Sequence, residues 1–343
     1  QLLQGPIGRY ERLGEQLYEG HAYDLKNIQF GLQRILWGML KKMVLADRVN
    51  AAVTLIFNNY WNYGGWINVF GVILYSIQLY ADFSGGIDIT IGIAQMFGIT
   101  MDENFRQPYF SRSIGEFWRR WHITLGTWMK DYIFYPFSLS KCMNKFGKWC
   151  KKTFGNNVGK LLPVSLANLL VFFIVGIWHG AAWKYIMYGM YNGVIIAASG
   201  MLAPVYARIH ESLHINPKSW WYQVFCIIRT FILVNIGFYF DMAPDLHAAN
   251  VMLLDTVTKA HLSQISMATV KAVGLTAQDL IIVAAGCIII FVVSVLKEKG
   301  IKIRETVASR NIVLRWFIYI VFIMFILIYG STSTTSDFIY ANF

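Results

Sequence analysis

Six apolar runs of about the length that crosses a bilayer constrain this chain more than any other feature. A transmembrane helix needs roughly 20 consecutive, mostly apolar residues. The clearest such runs are 161–178, 220–240, 279–296 and 312–330, and the further candidates are 66–83 and 183–202. Since backbone groups in lipid must be hydrogen-bonded within the segment, each run is predicted to be a helix. The sequence therefore predicts an all-α fold, a polytopic bundle of transmembrane helices.

The charge distribution agrees with a membrane protein. Only 14% of the residues are charged, whereas soluble domains carry about 25%. The net charge of +11 could indicate a nucleic-acid partner, but the basic residues cluster between the apolar runs, with six lysines and no acid in 141–160 and five basic residues in 297–310. The positive-inside rule places both clusters in the cytoplasm, and 241–278 and 331–343 outside. We therefore predict a multi-pass protein surrounded by membrane lipids, with no nucleic-acid partner.

The cysteines and the chain's organisation add little chemistry. Cys142, Cys150, Cys226 and Cys287 lack the spacing of metal ligands. We predict that they are reduced and structural, and that the chain has neither a metal site nor a bound cofactor. No internal repeat divides the sequence, so 1–343 is predicted to form a single membrane domain.

The stretch "EFWRRWHITLGTWMKDYIFYP" (116–136) carries unusual charge for so apolar a chain. We predict a helix that Pro136 ends, because the residue before a proline is steered away from helical geometry. On that helix Arg119 would share a face with His122, and Glu116 could pair with Arg119 and Arg120.

Two interpretations of this stretch stay open. Its arginines and Lys130 could meet lipid phosphates on an interfacial helix, and its tryptophans are typical of that position. Alternatively, the stretch could line a polar tunnel, with Arg119 toward an anionic ligand and with Arg120 and Lys130 facing headgroups. In the second case His122 should point toward His179 and lie within roughly 15 Å of it, because proton transfer requires close approach.

"GIWHGAAW" (176–183) places His179 between two apolar runs and beside small residues. Glycine and alanine let a backbone or a ligand come close. Imidazole accepts a proton near neutral pH without special tuning. Both a catalytic histidine and a helix-packing histidine fit this pattern.

"LYADFSGGIDITIG" (79–92) places Asp82 and Asp88 in an otherwise apolar run. A charge at membrane depth is costly and is usually paired or hydrated. We favour ion pairs with Arg or Lys elsewhere, while a cation site or a pore lining would also fit. Gly85 and Gly86 are predicted to break or bend the helix. The segment 38–49 is predicted to be a basic amphipathic helix at the membrane surface.

Five stretches, taken together and in order, resemble the membrane-bound O-acyltransferase family, in particular its bacterial branch that modifies cell-envelope polysaccharides. The similarity covers about residues 1–200 by motif and the remainder by hydropathy alone. The stretches are 1–9, 41–48 ("KKMVLADR"), 78–92, 104–136 and 176–183.

The resemblance implies a fold, a site and partners. The fold is a bundle with re-entrant or interfacial helices around a central tunnel. His179 corresponds to the family's catalytic histidine and His122 to a second essential residue. The substrate-binding or tunnel-lining candidates are Arg119, Trp121, Trp178, Asp82 and Asp88. The acyl donor is a cytoplasmic thioester, acetyl-CoA or acyl carrier protein, which is a substrate rather than a bound cofactor. The partner is an extracytoplasmic SGNH-type acetyltransferase or a polymer acceptor.

Family members usually carry several membrane helices before the first of these stretches, so we expect this sequence to be part of a longer protein. We expect a bacterial cytoplasmic-membrane enzyme that transfers an acyl group, preferably acetyl, with His179 as general base. D-alanyl transfer to teichoic acid is also compatible with the resemblance. The intramembrane charges are also compatible with a proton-coupled transporter. Two further alternatives fit the sequence, an acyltransferase that acts on a sterol or glyceride and a scaffolding subunit.

Overall fold

The computed structural model describes residues 5–264 and 266–330. Over these residues the chain is built from helices, and one isolated β-bridge joins Phe105 to Trp121. The predicted all-α class is confirmed. The chain divides into two compact units, and we call Gln1–Asn104 with Leu254–Phe343 the ion-pair unit and Phe105–Leu253 the histidine unit.

The predicted spans are confirmed as long apolar helices. Five described helices are long and apolar enough to cross a membrane, namely Trp66–Met96, Lys141–His179, Trp220–Met242, Ala277–Glu298 and Ile312–Tyr329. Trp183–Met201 and Ala203–Ser212 meet the same criterion together, with a bend of 57° between them, and count as a sixth span when the bent pair is taken as one. The direction in which each span crosses stays a prediction, and residues 331–343, predicted to be outside, lie beyond the described part of the chain.

The ion-pair unit is organised around one long helix, α4. Its α-helices are α1 (Tyr10–Tyr18), α2 (Leu25–Met39), α3 (Asp47–Asn58), α4 (Trp66–Met96), α13 (Met267–Ala272), α14 (Ala277–Glu298), α15 (Ile303–Ala308) and α16 (Ile312–Tyr329). A π-helical segment, Leu40–Ala46, joins α2 to α3, and short 3₁₀ turns lie at Tyr60–Asn62 and Leu262–Gln264.

The predicted break at Gly85–Gly86 was wrong, because α4 continues through both glycines. Instead, glycines allow α2 and α4 to pack with their backbones close together. A Cβ atom on Gly38 would lie 2.5 Å from the carbonyl oxygen of Gly85, and one on Gly92 would lie 2.7 Å from that of Gly31. Small residues that bring helices together in this way are typical of membrane proteins.

The predicted surface helix at 38–49 was also wrong. Lys41 and Lys42 are buried, together with most of the π-helical segment that carries them. Leu40 and Val44 on the same segment join a core that includes Ile282 of α14. The lysines therefore act inside the unit rather than at a lipid surface.

The histidine unit contains the other helices. They are α5 (Ile114–Arg120), α6 (Ile123–Met129), α7 (Tyr135–Ser138), α8 (Lys141–His179), α9 (Trp183–Met201), α10 (Ala203–Ser212), α11 (Trp220–Met242) and α12 (Leu246–Thr258), whose last turns cross the unit boundary. A 3₁₀ turn at Pro108–Phe110 precedes α5, and a π-helical segment, Lys130–Phe134, separates α6 from α7.

The lysine-rich segment 141–160, predicted to be cytoplasmic, is helical except at Gly155. There the backbone turns to a φ of +86°, a value that glycine adopts most easily. Beyond this break α8 continues to His179, and then α9 returns alongside it. Gly176 and Gly189 lie where the two helices approach most closely.

The prediction of one continuous helix across 116–136 was wrong. The chain leaves helical geometry at Trp121 and at His122, which has a positive φ of 46°. Arg119 and His122 therefore lie on either side of a turn rather than on one helical face. Pro136 does not end a helix, because the backbone stays helical from the π-helical segment through Tyr135 into α7.

Candidate functional site

His179 is the last residue of α8, and the glycine that follows makes its position possible. Gly180 has a φ of +146°, and a Cβ atom there would lie 2.7 Å from the ring of Tyr185. A larger residue would thus clash with α9 and strain the backbone. The small residues after His179 end one helix sharply and start the next beside it.

Asp241 lies against His179. Its Oδ1 atom is 3.5 Å from Nδ1 of His179, and both side chains are about 95% buried. The sequence did not point to this residue, because the segment 241–278 was predicted to lie outside the membrane. The structure places it in the last turn of α11 instead. The signal available in the sequence was an acidic residue directly after the apolar run "NIGFYF".

Aromatic rings surround His179. The rings of Trp178 and Tyr188 lie edge-on to the imidazole, with centroids 5.1 and 5.3 Å away, and the ring of Tyr185 lies 6.1 Å away. Such walls exclude water, so electrostatic interactions at His179 are stronger than in solvent.

His122 also packs against Trp178. The ring centroid of His122 is 5.7 Å from that of Trp178, and the centroid of His179 is 5.1 Å from it. The two imidazole centroids are therefore at most about 11 Å apart. His122 is itself buried, at 3% exposure. The predicted approach of His122 to His179, within roughly 15 Å, is confirmed.

The strained backbone of His122 is fixed from outside its own helices. The β-bridge from Phe105 holds Trp121, and the Arg106 N–H donates to the carbonyl of Arg120. Histidine is among the residues that occupy left-handed geometry most often, but such strain persists only where the surroundings enforce it. Here the preceding segment supplies that constraint.

A cavity of about 470 Å³ opens next to His122. Its polar lining includes Arg119, Lys130 and Asn168, and its apolar lining comes mainly from α6 and α8. Arg119 and Lys130 are exposed, whereas His122 is buried, so the cavity extends from basic side chains to an imidazole.

The other charged residues of 116–136 have different surroundings. Glu116 lies 2.9 Å from Arg120 and 3.5 Å from Arg112. Partial burial would raise the pKa of Glu116, but the hydrogen bond from the Arg112 N–H and the charges of Arg120 and Arg112 lower it below its usual value. Lys130 is exposed and belongs to the cavity wall, and its facing lipid headgroups stays a prediction.

Two predicted aromatic candidates occupy different positions. The ring of Trp178 packs against both imidazoles. Trp121 is buried among Phe105 and Phe117, with ring centroids 5.0 and 5.4 Å away, and it does not contribute to the lining of this cavity.

Asp82 and Asp88 form ion pairs inside the ion-pair unit, as the favoured interpretation predicted. Asp82 lies 2.7 Å from Lys42, while Asp88 lies 2.5 Å from Lys41 and 2.9 Å from Arg34. Across the residues that the structure describes, no three His, Cys, Asp or Glu side chains group as metal ligands would.

Three bacterial proteins illustrate what the chain resembles. A probable alginate O-acetylase of Pseudomonas syringae is 33% identical over 73% of this chain and 43% of its own length. A peptidoglycan O-acetyltransferase of Helicobacter pylori is 31% identical over 77% of the chain and 47% of its own length. A teichoic acid D-alanyltransferase of Bacillus subtilis is 29% identical over 71% of the chain and 58% of its own length.

The matches cover most of this chain but only part of each relative. The chain spans about half the length of the curated relatives it matches. The family model for membrane-bound O-acyltransferases matches residues 1–240, which include His122 and His179 and all of α11 except its last two residues, Asp241 and Met242. The chain is thus a member of the membrane-bound O-acyltransferase family.

Proposed function

We propose that this chain carries the catalytic centre of a membrane O-acyltransferase that moves an acyl group, preferably acetyl, from a cytoplasmic thioester toward a polysaccharide outside the membrane. One observation carries the proposal. A buried histidine, His179, lies beside a carboxylate, while a second buried histidine packs against the same tryptophan.

In the proposed reaction His179 acts as general base. It takes the proton from an acceptor hydroxyl as the hydroxyl oxygen attacks the thioester carbonyl carbon. The carbon–sulfur bond then breaks, and the proton passes from His179 to the departing thiolate, which leaves as a free thiol. Each turnover therefore gives one ester and one thiol.

His122 has the second role in this proposal. It lies on the cavity wall and close to His179, so it can donate a hydrogen bond to the thioester oxygen or relay the proton. Its enforced backbone geometry supports this assignment, because strained residues cluster at functional sites. Trp178, whose ring packs against both imidazoles, would help to hold their positions.

The cavity beside His122 suits the donor. Arg119 and Lys130 at its exposed part would attract the phosphates of coenzyme A or of an acyl carrier's prosthetic group. The apolar walls would accommodate the uncharged arm that ends in the thioester. Arg119 is therefore assigned to donor binding, as the resemblance led us to expect, and Lys130 joins it.

The relatives support an acceptor in the cell envelope of a bacterium. Two of them are named as O-acetylating proteins for alginate or peptidoglycan, and the third as a D-alanyltransferase for teichoic acid. We therefore place the proposed enzyme in the cytoplasmic membrane, with a polymer or an extracytoplasmic transferase as acceptor. D-alanyl transfer is the second candidate, favoured by the third relative alone.

Thiol release tests the proposal directly. Membranes containing the full-length protein should release thiol from acetyl-CoA or acetylated carrier protein when acceptor is present. His179→Ala should lower this rate by about 10²–10⁴-fold, the usual contribution of a general base. Loss of acetyl or D-alanyl esters from envelope polymers, measured by mass spectrometry, identifies the transferred group.

His247→Ala is the matched control, since His247 is an exposed histidine of the same unit. It should leave the rate unchanged. A wild-type protein that releases no thiol while moving protons or solutes would identify a transporter. Full activity in a well-expressed His179→Ala protein would disprove the catalytic assignment.

A further inference from the structure

We propose that Asp241 is a positioning residue for His179, a role that rests on the proposed function and adds to it. Its carboxylate faces Nδ1 of the imidazole and stabilises the positive charge that the ring gains when it accepts a proton.

The geometry supports this role. Asp241 Oδ1 lies 3.5 Å from His179 Nδ1, and the two residues come from the ends of different helices, α11 and α8. A carboxylate on the Nδ1 side favours the tautomer that leaves Nε2 free of its proton. Nε2 is then the nitrogen that can accept a proton from the acceptor hydroxyl.

Lys184 fixes the part of the chain that carries Asp241. Its ammonium group donates to the carbonyl oxygens of Asp241, at 3.2 Å, and of Ala243, at 2.7 Å. These carbonyls lie at the C-terminus of α11, where a cation is favourable because the helix dipole is negative there. Lys184 lies in the first turn of the helix that also carries Tyr185 and Tyr188, so one helix orients both the carboxylate and part of the wall around His179.

The titratable groups that face His179 come from three places. Asp241 belongs to α11, Tyr185 and Tyr188 belong to α9, and His122 lies in the turn between α5 and α6, while Lys184 bonds to the backbone beside Asp241. Tyrosine ordinarily stays neutral below about pH 10. Among these groups, Asp241 is therefore the source of negative charge for the protonated ring.

Asp241→Asn in the full-length protein tests the proposal. The amide keeps the size of the side chain but removes the charge, and its N–H₂ group favours the wrong tautomer of His179. We expect the kcat for thiol release to fall at least about tenfold, with the KM for the donor nearly unchanged. The acidic limb of the pH–rate profile should move to lower pH by about one unit, since protonation of His179 loses a stabilising charge.

Two further variants separate positioning from folding. Asp245→Asn is the matched control, because Asp245 is exposed and accepts a hydrogen bond from the Ala248 N–H at the start of α12, which Asn also does. It should leave the rate and the pH profile unchanged. Asp241→Glu keeps the charge and should retain more activity than Asp241→Asn, with the pH profile of the wild type.

The outcomes distinguish this proposal from the one on which it rests. If His179→Ala is inactive while Asp241→Asn keeps the wild-type kcat and pH profile, Asp241 has no positioning role, and the proposed function survives. If Asp241→Asn lowers only the amount of folded protein, its role is structural and the proposal is wrong. If His179→Ala is fully active, both proposals fail.

Discussion

The two units bury ionisable groups in opposite ways. In the ion-pair unit, buried lysines and an arginine contact aspartates directly, so positive and negative charges neutralise each other. In the histidine unit, the buried groups near the cavity are imidazoles, which can be neutral, and one of them lies beside a carboxylate. Fixed charges at membrane depth need a permanent partner, whereas imidazole can gain and lose a proton in place. The ion pairs are therefore interpreted as structural, and the buried histidines as candidate catalytic groups.

The ion pairs hold particular segments together. Lys42 contacts both Asp82 of α4 and Asp47 of α3, at 2.7 and 2.9 Å. Arg34 of α2 contacts both Asp88 and Glu103. Each cation thus joins two segments, and removing a partner would leave a buried charge poorly compensated.

The largest effect is expected from substitution of His122 in the histidine unit. His122→Ala should reduce proposed acyl transfer by about 10²–10⁴-fold, because it removes a group placed for proton transfer or for polarising the carbonyl. The amount of folded protein in the membrane should change little. Thiol release per milligram of purified protein measures the effect, and His247→Ala again serves as the control. Near-normal activity of His122→Ala would reduce this histidine to a packing residue.

The second prediction tests the structural half. Asp82→Ala should destabilise the protein by about 3 kcal/mol, the lower part of the range for breaking a buried pair, because Lys42 keeps Asp47 as a partner. Thermal unfolding in detergent and the yield from membranes measure the loss. The matched control is Asp102→Ala, whose ion pair with Arg12 is exposed and should contribute about 1 kcal/mol or less.

The activity of the Asp82→Ala protein tests whether Asp82 is only structural. The Asp82→Ala protein that does fold should keep its specific activity. A folded but inactive protein would return Asp82 to the tunnel-lining role that the resemblance implied.

The smallest expected effect concerns the glycine contact that brings the ion pairs within reach. Gly38→Ala places a Cβ atom 2.5 Å from the Gly85 carbonyl oxygen, so α2 and α4 must separate slightly. Overpacking of this kind costs about 1–3 kcal/mol, which thermal unfolding detects. Gly200→Ala is the control, since no atom lies within 4 Å of its added Cβ, and it should be neutral or slightly stabilising. Equal stability of both variants would show that close helix approach is unimportant here.

Much of the fold could be predicted from local sequence. The apolar runs predicted the long helices, because the hydropathy of about 20 neighbouring residues alone decides whether a helix is stable in lipid. The two histidines were identifiable from their unusual neighbours, and ion pairing of Asp82 and Asp88 followed from the cost of charge in an apolar run. The family resemblance came from the same short stretches.

Other features depend on contacts between residues that are far apart in the chain. The turn at His122 depends on the bridge from Phe105, and the continuity of α4 through Gly85 depends on the close approach of α2. Asp241 reaches His179 because α8 and α11 end at the same place in the histidine unit. Local sequence patterns do not predict these contacts, since each contact depends on backbones and side chains that are far apart in the chain. The sequence by itself therefore determined the spans and named the histidines, while packing between helices determined the carboxylate beside His179.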